Sequence, residues 1–304
     1  MIIPPEISDL ETALGGALGR RYRLKPLWVK CTYPVFRGEA DGAAPIFVKV
    51  GTKEEWVRTG DLLRTVGDCG FFSRFVTEEP IEYNGSAVFV MEWKDAKTVF
   101  PEDMTERQVE SFVSGCMKLG EVLGRGRASV RGRDADGTGR SPEALYGDLV
   151  QYVQRHPVAG RLLRGLTGIP EAERTYGTHP RAVCHGDFHA KNFGFVGGEF
   201  AAVYDFDKLT EGLGCSDLVN ALCERFSCFH LSRAARRRLY DVTRRIVTRV
   251  PWPRDELVIA CNIVRLQFAV RRILKHPDSA WVALDVLRRD RRIREFLSCL
   301  EGMS

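Results

Sequence analysis

The stretch 183-VCHGDFHAKNFGF-195, followed closely by 201-AAVYDFDK-208, decides how the chain is read. From His185 to Asn192, eight residues hold two histidines, an aspartate, a lysine and an asparagine, with apolar residues on both sides. As an extended strand, 183–189 would turn His185, Asp187 and His189 to one face. That set could hold zinc or iron in a hydrolase. As a polar turn at a strand end it needs no chemistry at all. As a loop it presents Asp187 to a hydroxyl, while Asn192 and Asp205, the latter from the following hairpin, hold one divalent cation. Phosphoryl transfer needs such a set: a carboxylate to orient the attacking oxygen and oxygen ligands to fix magnesium against a triphosphate. Magnesium prefers carboxylate and amide oxygens, so Asn and Asp suit it better than they suit zinc.

The surroundings fit a folded enzyme. The 304 residues suffice for one large domain or two lobes with a substantial core. A hydrophobic content of 44% with 28% charged residues is ordinary for a globular protein. A net charge of +5 falls short of a nucleic-acid-binding signature. No apolar run approaches the roughly 18–20 residues that span a bilayer, and the opening MIIPPEISDLETALGG does not read as a secretory signal. The nine cysteines are scattered without a C-x-x-C pair, which reads as reduced thiols in a cytoplasmic protein.

Along the chain, short apolar segments near Leu27–Lys30, Val35–Glu39 and Pro45–Val50 predict a strand meander. Glu54–Val66 has a helical period stopped at Gly67. Strands are expected at Arg74–Thr77 and Ser86–Glu92, with a turn at Asn84-Gly85. Past 94-KDAKTVFPED-103 the pattern turns helical: Thr105–Leu123, with Thr105 and Gln108 as a capping box, then Pro142–Leu166. Ser216–Phe229, Ser232–Val250, Asp255–Lys275 and Ser279–Leu300 follow. The Gly- and Arg-rich segment 124–143 between the first two helices reads as a loop or insert.

His185-Gly186-Asp187-x-His189-x-x-Asn192, followed by Tyr204-Asp205-Phe206-Asp207, resembles the signature of the aminoglycoside phosphotransferase and choline kinase group, small-molecule kinases with a protein-kinase-like fold. The resemblance implies an α+β, two-lobed architecture: a small β-rich N-terminal nucleotide-binding lobe over 1–94 and a larger, mainly helical catalytic and substrate-binding lobe over 95–304. It implies ATP and Mg²⁺ as cofactors. Asp187 would be the base or orienter of the acceptor hydroxyl, with Asn192 and Asp205 as magnesium ligands. His189 stands where the family has a residue able to approach the transferred phosphate, a scaffold role being the alternative. His185 and Asp207 read as structural, and Asp217 as the acid that anchors the loop from the next helix.

A nucleotide-binding lobe also needs a cation on a strand. The run 46-IFVKV-50 supplies Lys49, costly to bury without a phosphate or carboxylate nearby. Kinase-like proteins pair this lysine with a helix glutamate, and Glu55 is the expected partner, although by register the family's glutamate would fall near Thr59. Met91-Glu92-Trp93 stands at the hinge, where backbone groups at Met91 and Trp93 would hydrogen-bond an adenine. No G-x-G-x-x-G occurs in 30-KCTYPVFRG-38, and no P-loop motif occurs anywhere.

The resemblance implies a small hydroxyl compound as acceptor: a sugar, an amino sugar or an amino alcohol. The arginine-rich runs 233-RAARRRLYDVTRR-245 and 288-RRDRRIR-294 read either as solvated helical faces or as a patch for an anionic acceptor or a membrane surface. The pairing of 45-PIFVKV-50 with 203-VYDFDK-208 is also similar to lipopolysaccharide-core sugar kinases. A catalytically silent kinase-like binding protein and a metallohydrolase complete the alternatives.

Overall fold

Alternation along Ile46–Gly51 organises the first part of the computed structural model, which describes residues 6–28, 34–66, 69–125, 142–156, 166, 180–277, 279 and 281–301. The chain divides into two units, Met1–Ala96 with Ala202–Asp207, and Lys97–Ala201 with Lys208–Ser304.

In the first unit, β1 (Arg23–Trp28), β2 (Val35–Glu39), β3 (Ile46–Gly51), β4 (Ile81–Tyr83) and β5 (Ser86–Glu92) form an antiparallel sheet in the order β1-β2-β3-β5-β4. Side chains alternate across a strand. Ile46, Val48 and Val50 therefore join Phe36, Val88 and Val90 beneath Leu10 and Leu14 of α1 (Ile7–Leu18). Burying each such Val or Leu contributes about 1.5–3 kcal/mol. Lys49 takes the opposite face with its register partner Phe89, where α2 (Lys53–Val66) packs Trp56 against Ala87 and Phe89. The segment Ala202–Asp207 is tied into this unit: Val203 N–H donates to Phe71 O at 3.0 Å, and the Phe206 ring meets Phe72 edge-on at 4.5 Å.

The two-residue turn at Asn84 and Gly85 has positive φ at both positions (47° and 76°), as a tight hairpin requires. The expected strand Arg74–Thr77 is corrected to an isolated bridge, Phe75 to Met91, and the strand that pairs through the turn is β4. Pro80 lacks the N–H that a continuous edge strand would need. Helix α1 had no sequence signal because Gly15-Gly16 interrupts its period. It forms because Leu10 and Leu14 share a face, and it ends at Gly19 with φ 63°.

The second unit holds α3 (Glu106–Arg125), α4 (Pro142–Arg155), α5 (Ser216–Phe226), α6 (Arg233–Val247), α7 (Arg254–Lys275) and α8 (Val282–Glu301). Strand β6 (Ala182–Cys184) pairs with β9 (Thr210–Gly212), and β7 (Phe193–Val196) with β8 (Glu199–Val203), which leads on into the segment belonging to the first unit. The capping box of α3 is made: Thr105 N–H donates to Gln108 Oε1 at 2.9 Å, and Gln108 N–H returns to Thr105 Oγ1 at 3.4 Å. Most of the expected loop 124–143, the Gly67 stop and part of 30–38 lie outside the described residues, as does the helix expected to continue past Arg155 over 157–165. None of the helices among the described residues is long and apolar enough to cross a membrane.

Many of the arginines in the two basic runs are bound internally. Arg236 pairs with Glu295 at 2.9 Å, Arg238 with Asp103 at 3.3 Å and Arg289 with Asp285 at 3.3 Å, and Arg245 pairs with Glu106. Asp290, buried on α8, takes Arg265 of α7 at 2.6 Å and Arg294 at 2.8 Å. Removing that carboxylate leaves a buried guanidinium uncompensated. Asp290→Ala is expected to cost about 3–5 kcal/mol, read as a fall in the urea midpoint. Pairing Arg265→Met with Asp290→Leu should recover most of it.

Candidate active site

Strand β6 stops at Cys184 and the chain turns at once. Gly186 has φ 77°, and a Cβ there would lie 1.9 Å from the Lys208 carbonyl oxygen, so only glycine fits. The turn breaks the strand alternation on which a zinc or iron site depended. Among the described residues, no group of three or more His, Cys, Asp or Glu is placed to hold a metal. His185, Asp187 and His189 thus do not form the cluster that a zinc or iron site would need.

The loop is pinned from below. Asp217, in the first turn of α5, accepts from His185 N–H at 2.7 Å and Gly186 N–H at 3.1 Å. Burial pushes its carboxyl above the ordinary value, opposed first by the charge of His185 and then by those two N–H bonds. The His185 ring is fully buried, and its Nδ1 accepts from Asp187 N–H at 3.4 Å. Asn220 Nδ2 donates to Phe188 O at 3.1 Å. Phe188 and Phe193, both inaccessible, stack 4.9 Å apart, and Phe112 of α3 meets them at 6.2 and 5.0 Å.

With the aromatic rings turned inward, the polar side chains keep the other side. Asn192 Nδ2 donates to Asp187 O at 2.9 Å, and its backbone N–H to His189 O at 2.8 Å. The amide nitrogen is thus used within the loop, and the amide oxygen is the atom left for a ligand. Asp187 Oδ2 accepts from Lys208 Nζ at 2.6 Å. His189 Nδ1 accepts from Lys191 N–H at 3.3 Å. Burial holds the His189 pKa below its usual value, opposed first by the charge of Asp187.

In the first unit, Lys49 Nζ lies 3.0 Å from Asp205 Oδ1. Asp205 sits at φ 63°, a conformation rare for a residue other than glycine and common where function imposes strain. The expected pairing of Lys49 with Glu55 is corrected. Glu55 Oε2 accepts from Thr52 N–H at 2.9 Å, and Glu55 N–H donates to Thr52 Oγ1 at 3.2 Å, closing a capping box on α2. A carboxylate in the first turn meets the helix's own free N–H groups first. At the expected hinge, Met91 pairs with Phe47 in the sheet, and Trp93 N–H donates to Pro45 O at 3.3 Å. The Arg37 guanidinium lies 4.8 Å over the Trp93 ring. Sequence reasoning missed Lys208; a lysine after D-F-D carries no mark, and only the fold brings it to Asp187.

The model of the phosphotransferase enzyme family matches residues 72–245, more than half of the chain. Among solved structures, aminoglycoside phosphotransferase APH(4)-Ia superposes with a TM-score of 0.62 at 12% identity, over 95% of this chain and 99% of that one. Macrolide 2'-phosphotransferase MphH from Brachybacterium faecium gives 0.58 at 13%, over 92% and 97%. Amicoumacin kinase hAmiN, in complex with AMP-PNP, Ca²⁺ and Ami, gives 0.58 at 12%, over 94% and 93%. At such identities the likeness is one of fold, and it bears out the α+β, kinase-like architecture. No curated protein sequence matches.

The tightest constraint in the loop is the approach of Gly186 to Lys208. Gly186→Ala combines a positive φ with a backbone clash, so it is expected to destabilise by about 1–3 kcal/mol. Turnover should fall about 10²-fold or more as Asp187 is displaced. A melting curve and an ADP-release assay on the same preparation check both.

Proposed function

The chain belongs to the phosphotransferase enzyme family, and on that premise we propose that it transfers the γ-phosphoryl group of Mg-ATP to a hydroxyl of a small molecule. The observation that carries this is the loop 185–192, in which Asp187 is fixed and the Asn192 amide is turned so that its oxygen is left for a ligand. Asp187 orients the acceptor hydroxyl and receives its proton. Asn192 and Asp205 are the magnesium ligands; an amide and a carboxylate oxygen are the hard donors this ion takes. When bound, the ion neutralises phosphate charge. Lys49 grips the α- and β-phosphates, and its pairing with Asp205 aims the ammonium before nucleotide arrives. Adenine is assigned to backbone groups at Met91 and Trp93, and His189 to the scaffold of the loop.

A structure of APH(4)-Ia in ternary complex with ADP and hygromycin B supports a nucleotide donor and a small-molecule acceptor by likeness of fold. The acceptor class stays with sugars, amino sugars and amino alcohols. An anionic acceptor, or contact with a membrane surface, would draw on the basic helices α6 and α8. The ion pairs of Arg236, Arg238, Arg245, Arg289 and Arg294 reduce that support. Free thiols throughout the described cysteines favour a cytoplasmic setting. Presence of Lys49, Asp187, Asn192 and Asp205 together supports turnover over a silent binding module.

Purified protein with Mg-ATP and a panel of sugars, amino sugars and amino alcohols should release ADP. Asp187→Ala should reduce that release by about 10²–10⁴-fold, and Lys49→Met should diminish the thermal shift given by Mg-AMP-PNP. Full ADP release from Asp187→Ala would refute the reading.

A further inference from the structure

Lys208 is absent from the roles assigned above, and the geometry points to it as the positioning residue of phosphoryl transfer: its ammonium fixes the Asp187 carboxylate in the orientation that receives the acceptor hydroxyl. This rests on the reading of Asp187 as the group that orients the acceptor.

The placement follows from strand register. Antiparallel β6 and β9 align Ala182 with Gly212, Val183 with Glu211 and Cys184 with Thr210. Continued by two residues, the same register sets Gly186 opposite Lys208. The Lys208 carbonyl does press on Gly186, at the position where a side chain would begin. Glycine at 186 is therefore what lets the two backbones meet. Lys208 closes the short 3₁₀ turn Phe206–Lys208 and is followed by Leu209, buried in the core. Its backbone is held against the loop, and its side chain reaches the carboxylate of Asp187, the residue after Gly186, Nζ to Oδ2 at 2.6 Å.

A carboxylate on a single-bond rotor offers two equivalent oxygens. A short charge-assisted bond to one of them removes that freedom. With Oδ2 taken by the ammonium, Oδ1 is the oxygen presented to the hydroxyl. In the transfer, the acceptor oxygen bonds to the γ-phosphorus as the bond from that phosphorus to the departing ADP oxygen breaks, and the hydroxyl proton passes to Asp187. His189, which stands where the family has a residue able to approach the phosphate, accepts from Lys191 N–H through Nδ1. The cation at the carboxylate comes instead from the next hairpin.

The experiment uses the full chain, Mg-ATP with water as acceptor, and ADP release as the readout, with Mg-AMP-PNP thermal shifts alongside. Lys208→Met should lower the maximal rate about 10²-fold while KM for ATP and the Mg-AMP-PNP shift stay at wild-type values. Lys208→Arg, keeping a cation of similar reach, should recover the rate to within about tenfold. The Lys208 side chain is 41% exposed, so neither variant should disturb the melting point without ligand. If Lys208→Met keeps the wild-type rate while Asp187→Ala abolishes it, the role of Lys208 is overturned and that of Asp187 stands. If Asp187→Ala keeps the rate, the underlying reading of Asp187 fails instead. If Lys208→Met raises KM and erases the nucleotide shift, Lys208 acts on the nucleotide and the positioning role is overturned.

Discussion

The carboxylate of Asp217 takes two consecutive backbone N–H groups, those of His185 and Gly186, and the shape of the loop 185–192 hangs on that clamp. A chain leaving a strand through a positive-φ glycine has lost its ladder partners, and buried N–H groups left without acceptors would cost about 1–3 kcal/mol each. Asp217 satisfies both from a helix whose own position is set by packing, since Leu218, Val219, Ala221 and Leu222 beside it are all buried. The loop thereby inherits the rigidity of α5. A carboxylate under a loop is tolerable for the same reason: two N–H donors and the His185 ring offset part of the desolvation that raises its pKa. The Phe112–Phe188–Phe193 stack supplies the apolar half of the support. Polar groups fix the direction of the chain and aromatic rings fix its height.

Charge in this protein is mostly directed at other charge within the fold. Glu106, at the start of α3, takes both Arg245 and Arg249 near the end of α6. Glu102, buried before α3, accepts a fork from Arg225 of α5, whose Nε donates to Oε2 at 2.8 Å and whose Nη2 donates to Oε1. That guanidinium also lies 4.1 Å over the Phe100 ring. A net charge of +5 thus overstates the basic surface offered to a ligand, because many arginines answer carboxylates on neighbouring elements. Bidentate geometry explains the preference for arginine over lysine at these crossings.

The sequence revealed what depends on local chemistry and hid what depends on closure of the chain. The alternation of Ile46, Val48 and Val50 around Lys49 was legible because period two needs only a few residues. The helices of the second unit were legible from their apolar stripes, and the α3 capping box from Thr105 and Gln108 alone. Asp187, Asn192 and Asp205 stood out because their residue types are the oxygen donors that phosphoryl transfer needs. Glu55 misled because a glutamate three residues after Thr52 fits two descriptions, a partner for a nearby lysine and a helix cap, and the cap is closer. Strand 74–77 misled because apolar residues mark β propensity but not which edge has room. Lys208 was invisible: its nearness to Asp187 is a fact of β6–β9 register, set by a pairing across 26 residues between Cys184 and Thr210.

Phosphoryl transfer leaves the protein little covalent work, so its contribution is placement. That explains why strain and tight contact gather in so few residues here. Asp205 holds φ 63°, Gly186 holds φ 77° against a carbonyl, and elsewhere among the described residues positive φ outside glycine occurs only at the Asn84 turn. A turn at a hairpin tip tolerates that conformation because Asn reaches it at small cost. Asp205 pairs with Lys49 at 3.0 Å, and its neighbour Phe206 packs on Phe72, and both contacts help to hold it. The carboxylate is thus aimed by its surroundings before any nucleotide binds. Preorganisation of this kind places the reorganisation cost in folding rather than in the catalytic step. Each unit does this separately, with Lys49 and Asp205 in the first and Lys208, Asp187 and Asn192 in the second. In both, a lysine set on a carboxylate fixes where that carboxylate points.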